Sequence, residues 1–257
     1  MKVSFLGSGT SHGVPMIGCR CPVCHSSDSR DKRLRASIWL HDEKRSIIID
    51  VGPDFREQVL RAEVPRLDAV LLTHTHADHL NGIDDLRVFS QMSQRHIPLY
   101  ASEQDCDFIR SHFEYIFSDA DFSLNWGIPR IELMCLNGPF RLLGLDVSPI
   151  ELRHGHRPST GYRFGDFAYL TDCNGIPPRS LEALRGVRTL VIDGLKWTPH
   201  PTHFSIPEAL EAIAPLSPER VFITHICHNV SHREDSAELP ENVFFAYDGL
   251  SFDVAGV

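Results

Sequence analysis

The chain has 257 residues, enough for one large domain or two small ones, with 42% hydrophobic and 23% charged residues. Its formal net charge is -9 with no basic block. That argues against a long nucleic acid as partner, though not against a small phosphate compound beside bound metal ions. No run approaches the roughly 18 apolar residues of a membrane span, and no signal-peptide stretch opens the chain, so a cytoplasmic protein is expected.

Val3-Ser4-Phe5-Leu6 reads as the first strand. Gly7-Ser8-Gly9-Thr10-Ser11 follows. Two readings are open for it: a tight turn with glycine at positive φ, or a cradle of backbone N–H groups for a phosphate. Three of the seven cysteines then crowd at Cys19, Cys21 and Cys24. In a cytoplasmic chain such a crowd points to metal rather than disulfides, and thiolates at this spacing suit a closed four-ligand zinc site. The neighbouring His25 reaches the same ion only awkwardly, so a distant histidine is expected as fourth ligand.

Residues 37–40 and 46–50 pair as strands around a turn at 41–44. A helix runs from Phe55 to about residue 62 and is closed by Val64-Pro65. The apolar run Ala69-Val70-Leu71-Leu72 reads as a buried strand that delivers Thr73-His74-Thr75-His76-Ala77-Asp78-His79. Three imidazoles and one carboxylate thus stand together at the mouth of a strand, where α/β proteins keep their chemistry. Further on come a helix over 86–94, a strand over 97–101 and a helix from 102 to 117 with Phe108, Ile109, Phe113 and Ile116 facing the core. Residues 118–127, with Phe122 and Trp126, read as a lid or as a plain connection.

The second half is richer in strands: 140–143, 145–152, 161–164, 167–171, 189–193 and 220–224, with the last pair near 243–245 and 251–254. A short helix lies at 180–184. Ser205 and Glu208 form a capping box that opens another helix. There is no repeat and no linker rich in Gly, Ser or Pro, so residues 1–257 form a single layered domain of two similar halves.

Four strands end in a candidate ligand: His74, His154, Asp172 and His225. One such histidine would mean little; four endings plus the cluster at 74–79 indicate a metal centre. His74 and His76 can converge on one ion, Asp78 and His79 on a neighbour, and Asp172 can bridge both through its two oxygens. Two divalent ions roughly 3.5–4 Å apart clamp an oxyanion and activate a water. His156 competes with His154, which directly follows its strand; His156 is then left for the substrate. Asp193 orients a ligand or makes an ordinary structural hydrogen bond. His12, His41, His96, His112 and His232 receive no role.

His74-Thr-His-Ala-Asp-His79 resembles the H-x-H-x-D-H signature of the metallo-β-lactamase superfamily. Leu6-Gly-Ser-Gly-Thr-Ser11 resembles that superfamily's opening strand and turn, and Ile49-Asp50-Val-Gly52 its second marker. The resemblance implies an αββα sandwich: two mixed β-sheets flanked by helices, with the site at one edge. It implies His74, His76 and His154 on one ion, Asp78, His79 and His225 on the other, and Asp172 between them, the ions being zinc, manganese or iron.

Within the superfamily the chain looks most like PhnP-type phosphodiesterases, which carry a C-x-C-x-x-C zinc site matched by Cys19, Cys21 and Cys24. By that resemblance Thr224-His225-Ile226-Cys227-His228 supplies His225 to the active site and His228 as fourth ligand of one structural zinc. It also places His203, in Pro199-His200-Pro201-Thr202-His203, as a proton donor. His203 and the ligand Asp78 are thus the expected catalytic side chains. The implied reaction is hydrolysis of a small phosphodiester, a cyclic nucleotide or ribose cyclic phosphate, through a metal-bound hydroxide. Alternatives in the same superfamily are RNA 3′ processing, lactone or thioester hydrolysis, and a cofactor-biosynthesis role like that of a related pyrroloquinoline quinone protein. The expected partner is a small molecule rather than a membrane, and a homodimer is open.

Overall fold

The computed structural model describes residues 1–117 and 127–255. The 118–127 lid therefore lies, save for Gly127, outside the described residues. Fourteen strands form two sheets of seven among these residues. The first sheet holds β1 (Lys2–Gly7), β2 (Ser37–His41), β3 (Ser46–Ile49), β4 (Ala69–Leu71), β5 (Ile97–Ala101) and β6 (Ile131–Cys135). The second holds β7 (Phe140–Leu142), β8 (Leu145–His154), β9 (Arg157–Phe164), β10 (Phe167–Leu170), β11 (Thr189–Asp193), β12 (Arg220–Thr224) and β13 (Val243–Phe245). The last strand, β14 (Ser251–Asp253), returns to the first sheet and pairs antiparallel with β1. Both sheets mix antiparallel and parallel pairs; β3 to β6 run parallel, as do β10 to β13.

Helices cover the outer faces: α1 (Phe55–Arg61), α2 (Ala77–Leu80), α3 (Leu86–Ser93), α4 (Glu103–His112) and α5 (Glu114–Phe117) beside the first sheet. Beside the second lie α6 (Pro178–Ala183), α7 (Ile206–Ile213) and α8 (His232–Asp235). The architecture is the αββα sandwich. Its cause is visible in the strands. Parallel central strands are covered on both faces, so they read as unbroken apolar runs. In β3, Ile47 and Ile49 enter the core between the sheets while Ile48 faces the helices. In β10, Phe167 and Tyr169 face the first sheet while Ala168 and Leu170 face the α6/α7 side. Among the described residues no helix is long and apolar enough to cross a membrane.

Three expectations change. β6 is a further strand, paired parallel with β5; its mixed sequence Ile-Glu-Leu-Met-Cys gave little contrast. The helix expected over 102–117 breaks at Phe113 into α4 and α5. Gly7 and Gly9 lack positive φ, and the amides of Ser8, Gly9 and Thr10 bond to Asp248, Leu34 and Ile226. The turn is neither left-handed at these glycines nor a cradle of free N–H groups. Glycine is needed because a Cβ on Gly7 would sit 2.0 Å from the Arg35 carbonyl oxygen.

Arg33 ties the N-terminal loops to the chain end. Its guanidinium is buried and donates to Asp31 at 2.8 Å and to the carbonyls of Cys227 and Val230 at 3.0 and 2.9 Å. Asp31 also accepts the His232 amide at 2.9 Å. Removing one partner of such a pair strands a buried charge. Arg33→Ala is therefore expected to cost about 3–5 kcal/mol of stability, read as a lowered denaturant midpoint.

Candidate metal centre and active site

The strand ends of both sheets meet at one edge. β4 leads through Thr73 to His74, and β8 ends in His154. Asp172 lies just beyond β10 and His225 just beyond β12. The sheets are stitched here: Tyr162 Oη donates to the Leu72 carbonyl at 2.6 Å, and the Thr160 amide to that of Thr73 at 2.8 Å. The Asp50–Gly52 loop packs directly on α2. A Cβ on Gly52 would lie 1.9 Å from the Asp78 carbonyl oxygen, so only glycine fits. Asp50 and His225 both adopt left-handed backbone, φ 68° and 59°, a costly conformation for such residues that clusters at functional sites.

Two donor clusters result. His74 Nε2 lies 2.9 Å from His76 Nδ1, which is 3.2 Å from His154 Nε2; Asp172 Oδ2 is 3.8 Å from the His74 nitrogen and 4.0 Å from that of His154. In the second cluster His79 Nε2 is 3.3 Å from Asp78 Oδ2 and 3.2 Å from Asp172 Oδ2. His225 Nε2 is 3.6 Å and 3.3 Å from the same two oxygens. Asp172 Oδ2 alone belongs to both sets. Asp172 Oδ1 instead accepts from Thr171 Oγ1 at 2.6 Å. All four of these histidine contacts with Asp172 are to Oδ2.

These donors fit divalent ions. The separations bracket the ~3.4 Å edge of a tetrahedron built on ~2.1 Å metal–ligand bonds. His225 keeps both buried ring nitrogens without a hydrogen-bond partner. Burial pushes His74 well below its usual pKa, leaving neutral nitrogens that can ligate. Burial would also lower His79, but Asp172, Asp78 and Asp50 outweigh it and hold that ring well above its usual value. Asp172 is buried too, which opposes its charge, yet His225 and His79 hold its carboxyl well below the usual range.

A second layer orients the rings. His79 Nδ1 lies 2.6 Å from Asp50 Oδ2, and Asp50 also receives the Thr73 amide and hydroxyl. His154 Nδ1 donates to the Thr202 carbonyl at 2.8 Å. Each contact fixes a tautomer and aims the other nitrogen inward. His203 lies outside these two sets but forms a further donor group with Asp172, Asp193 and His225, their ligand atoms within 4.8 Å of one another. Its Nδ1 is 2.7 Å from Asp193 Oδ2, and its ring stacks on His225 with centroids 4.6 Å apart. Burial alone would lower His203, but the Asp193 carboxylate outweighs it and the pKa rises to about 9. His76, Asp78, His154, Asp172, His203 and His225 line a cavity of about 670 Å³. His156 and His200 line it, and so does His12, which spacing alone gave no reason to place there.

Cys19, Cys21, Cys24 and His228 form a separate cluster, their ligand atoms within 4.8 Å of one another. His228 Nδ1 is 3.4 Å from both Cys19 Sγ and Cys21 Sγ. His25 is exposed and is not in the set. Burial opposes ionisation of Cys21, but the Cys24 amide and the His228 ring bring its pKa down to about 6, so a thiolate is ready for metal.

A two-sheet sandwich with paired His/Asp donor sets at its edge defines the class of metal-dependent hydrolases. The model of the beta-lactamase superfamily domain matches residues 45–226, and the chain belongs to the metallo-β-lactamase superfamily, where it is PhnP-like. The crystal structure described as a new diphosphatase from the PhnP family is 38% identical and superposes with a TM-score of 0.91, covering 99% of this chain and 98% of that one. The Zn(2+)-bound PqqB of Methylobacterium extorquens shares the fold at 21% identity and TM-score 0.76, over 99% of this chain and all of that one. A Porphyromonas gingivalis protein named octanoyltransferase is 40% identical over 256 residues, 97% of this chain. This chain spans only 51% of that protein's length.

If all three clusters load, metal analysis of the purified protein will give about three ions per chain. Replacing Cys19, Cys21 and Cys24 together by Ser should remove one ion and lower the melting temperature. Loss of the active-site ions instead would reassign the cysteines. Asp50→Asn should weaken ion retention at the second cluster about 10–100-fold in a chelator competition.

Proposed function

We propose that the chain is a phosphodiesterase acting on a small phosphodiester of the cyclic nucleotide or ribose cyclic phosphate class. His74, His76 and His154 would hold one divalent ion, Asp78, His79 and His225 the other, and Asp172 both. Such ions, when bound, supply positive charge against the phosphoryl oxygens and an activated water near neutral pH. The protein side chains do the rest. Asp50 and the Thr202 carbonyl hold His79 and His154 in their ligating tautomers. Asp193 accepts the Nδ1–H of His203, which leaves the Nε2–H to be given to the departing oxygen.

That carboxylate-held histidine carries the reading. An alkoxide leaving from phosphorus needs a proton donor. A thiolate, with a thiol pKa near 8.5, leaves largely unaided, so thioester cleavage would not call for it. The relative named octanoyltransferase raises acyl chemistry as a second reading. Against it, Met16 and Leu195 are the main large apolar side chains on a cavity wall otherwise dominated by imidazole, carboxylate, hydroxyl and cationic groups.

A panel of a cyclic phosphodiester, a linear dinucleotide, a precursor tRNA, a lactone and a thioester tests this directly. Cleavage of the first is expected; turnover of only the lactone or thioester would overturn the reading. His203→Ala should lower turnover about 10²–10⁴-fold for alkyl leaving groups and much less for p-nitrophenolate. An equal loss for both would remove the proton-donor role. His203 is protonated below about pH 9, so activity on alkyl esters should fall as pH rises through that value. Asp193→Asn should move this alkaline limb to lower pH.

A further inference from the structure

Near the donor edge of the second sheet, four buried polar atoms have no hydrogen-bond partner among the described residues: Tyr169 Oη, Asp193 Oδ1, Thr224 Oγ1 and His225 Nδ1. They come from three adjacent strands. Tyr169 is on β10, Asp193 ends β11, Thr224 ends β12 and His225 follows it. Tyr169, Val191 and Phe222 all enter the core between the sheets. Side chains alternate along a strand, so Asp193 turns the same way as Val191, and Thr224 the same way as Phe222. Asp193 and Thr224 are also register partners. The charges of Asp172 and Asp193 reach the Tyr169 hydroxyl.

Buried polar groups are almost always paired. Neighbouring hydroxyls obey this: those of Ser159, Tyr162 and Thr171 each donate to a fixed oxygen. Four unpaired atoms in one place therefore point to a bound species. His225 Nδ1 lies 3.9 Å from Asp193 Oδ1, too long for a hydrogen bond but a span that two groups held by one water adopt. A water has two protons to donate and two lone pairs to accept with, and the four atoms match them. It accepts from the His225 Nδ1–H and the Tyr169 hydroxyl, and donates to Asp193 Oδ1 and Thr224 Oγ1. A metal ion fits worse. His225 Nε2 already faces Asp78 and Asp172, and ligation through both nitrogens would strip the ring of its last proton.

We infer that Tyr169 and Thr224 are positioning residues that hold a buried water against His225 Nδ1. The water keeps the proton on Nδ1 and aims the Nε2 lone pair at the second donor set. Asp193 then steadies two rings at once, His203 through Oδ2 and His225 through Oδ1. The inference rests on the reading of Asp78, His79, Asp172 and His225 as an ion site.

The test follows the metal-loaded protein through dialysis against a chelator, with the remaining ions counted, and needs no substrate. Thr224→Val and Tyr169→Phe keep shape and lose one hydroxyl each. Each should release one active-site ion about tenfold more readily than the wild type. Anomalous scattering from crystals of the dialysed protein shows which set is emptied, and the second is expected. Thr224→Ser should restore retention, which a packing defect would not. A crystal structure of the loaded wild-type protein should also show a water within about 3.2 Å of both His225 Nδ1 and Asp193 Oδ1. Unchanged retention in both variants, emptying of the first set, or a loss that serine does not restore overturns the inference and leaves the ion site standing. So does a direct His225–Asp193 hydrogen bond, or an anomalous peak in place of the water. A wild-type protein that retains no ion at the second set overturns the ion-site reading and the inference with it.

Discussion

The structure turns on four carboxylates gathered without a Lys or Arg among them. Asp50, Asp172 and Asp193 are buried and Asp78 is partly so; among the described residues every ion pair they make is with a histidine. Burying carboxylates is expensive unless cations meet them. Here histidine rings meet them. The rest of the scaffold serves to hold these groups close: strand ends from both sheets, glycines where a Cβ would collide, and left-handed backbone at Asp50 and His225.

Much of this was legible in the sequence because it is local. A cluster spaced as at 74–79 has few structural uses, and a ligand directly after a buried strand is placed by the strand itself. The fold followed from apolar runs that both sheet faces require. Other features depend on distant packing and leave no local trace. That Thr171 holds Asp172 Oδ1 while four histidine nitrogens approach Oδ2 is one such feature. The opening glycines are set by how closely Arg33 and Arg35 pass, which no turn pattern encodes. β6 was missed because its edge position allows a mixed, half-exposed sequence.

The C-terminal loop of residues 225–232 is fixed from two sides. The cysteine cluster reaches it through His228, and Arg33 through the carbonyls of Cys227 and Val230. Both anchors come from the first 35 residues. The position of His225 in the second donor set therefore depends on groups nearly two hundred residues away along the chain.

The stitching of two sheets at the donor edge has a consequence for how the molecule is made. His74, His76, Asp78 and His79 leave the ribosome early, Asp172 much later and His225 later still. A partly synthesised chain has a histidine-rich loop able to grasp a stray ion, but not the shared oxygen that defines a pair. The donors around Asp172 come together only once the second sheet has closed on the first.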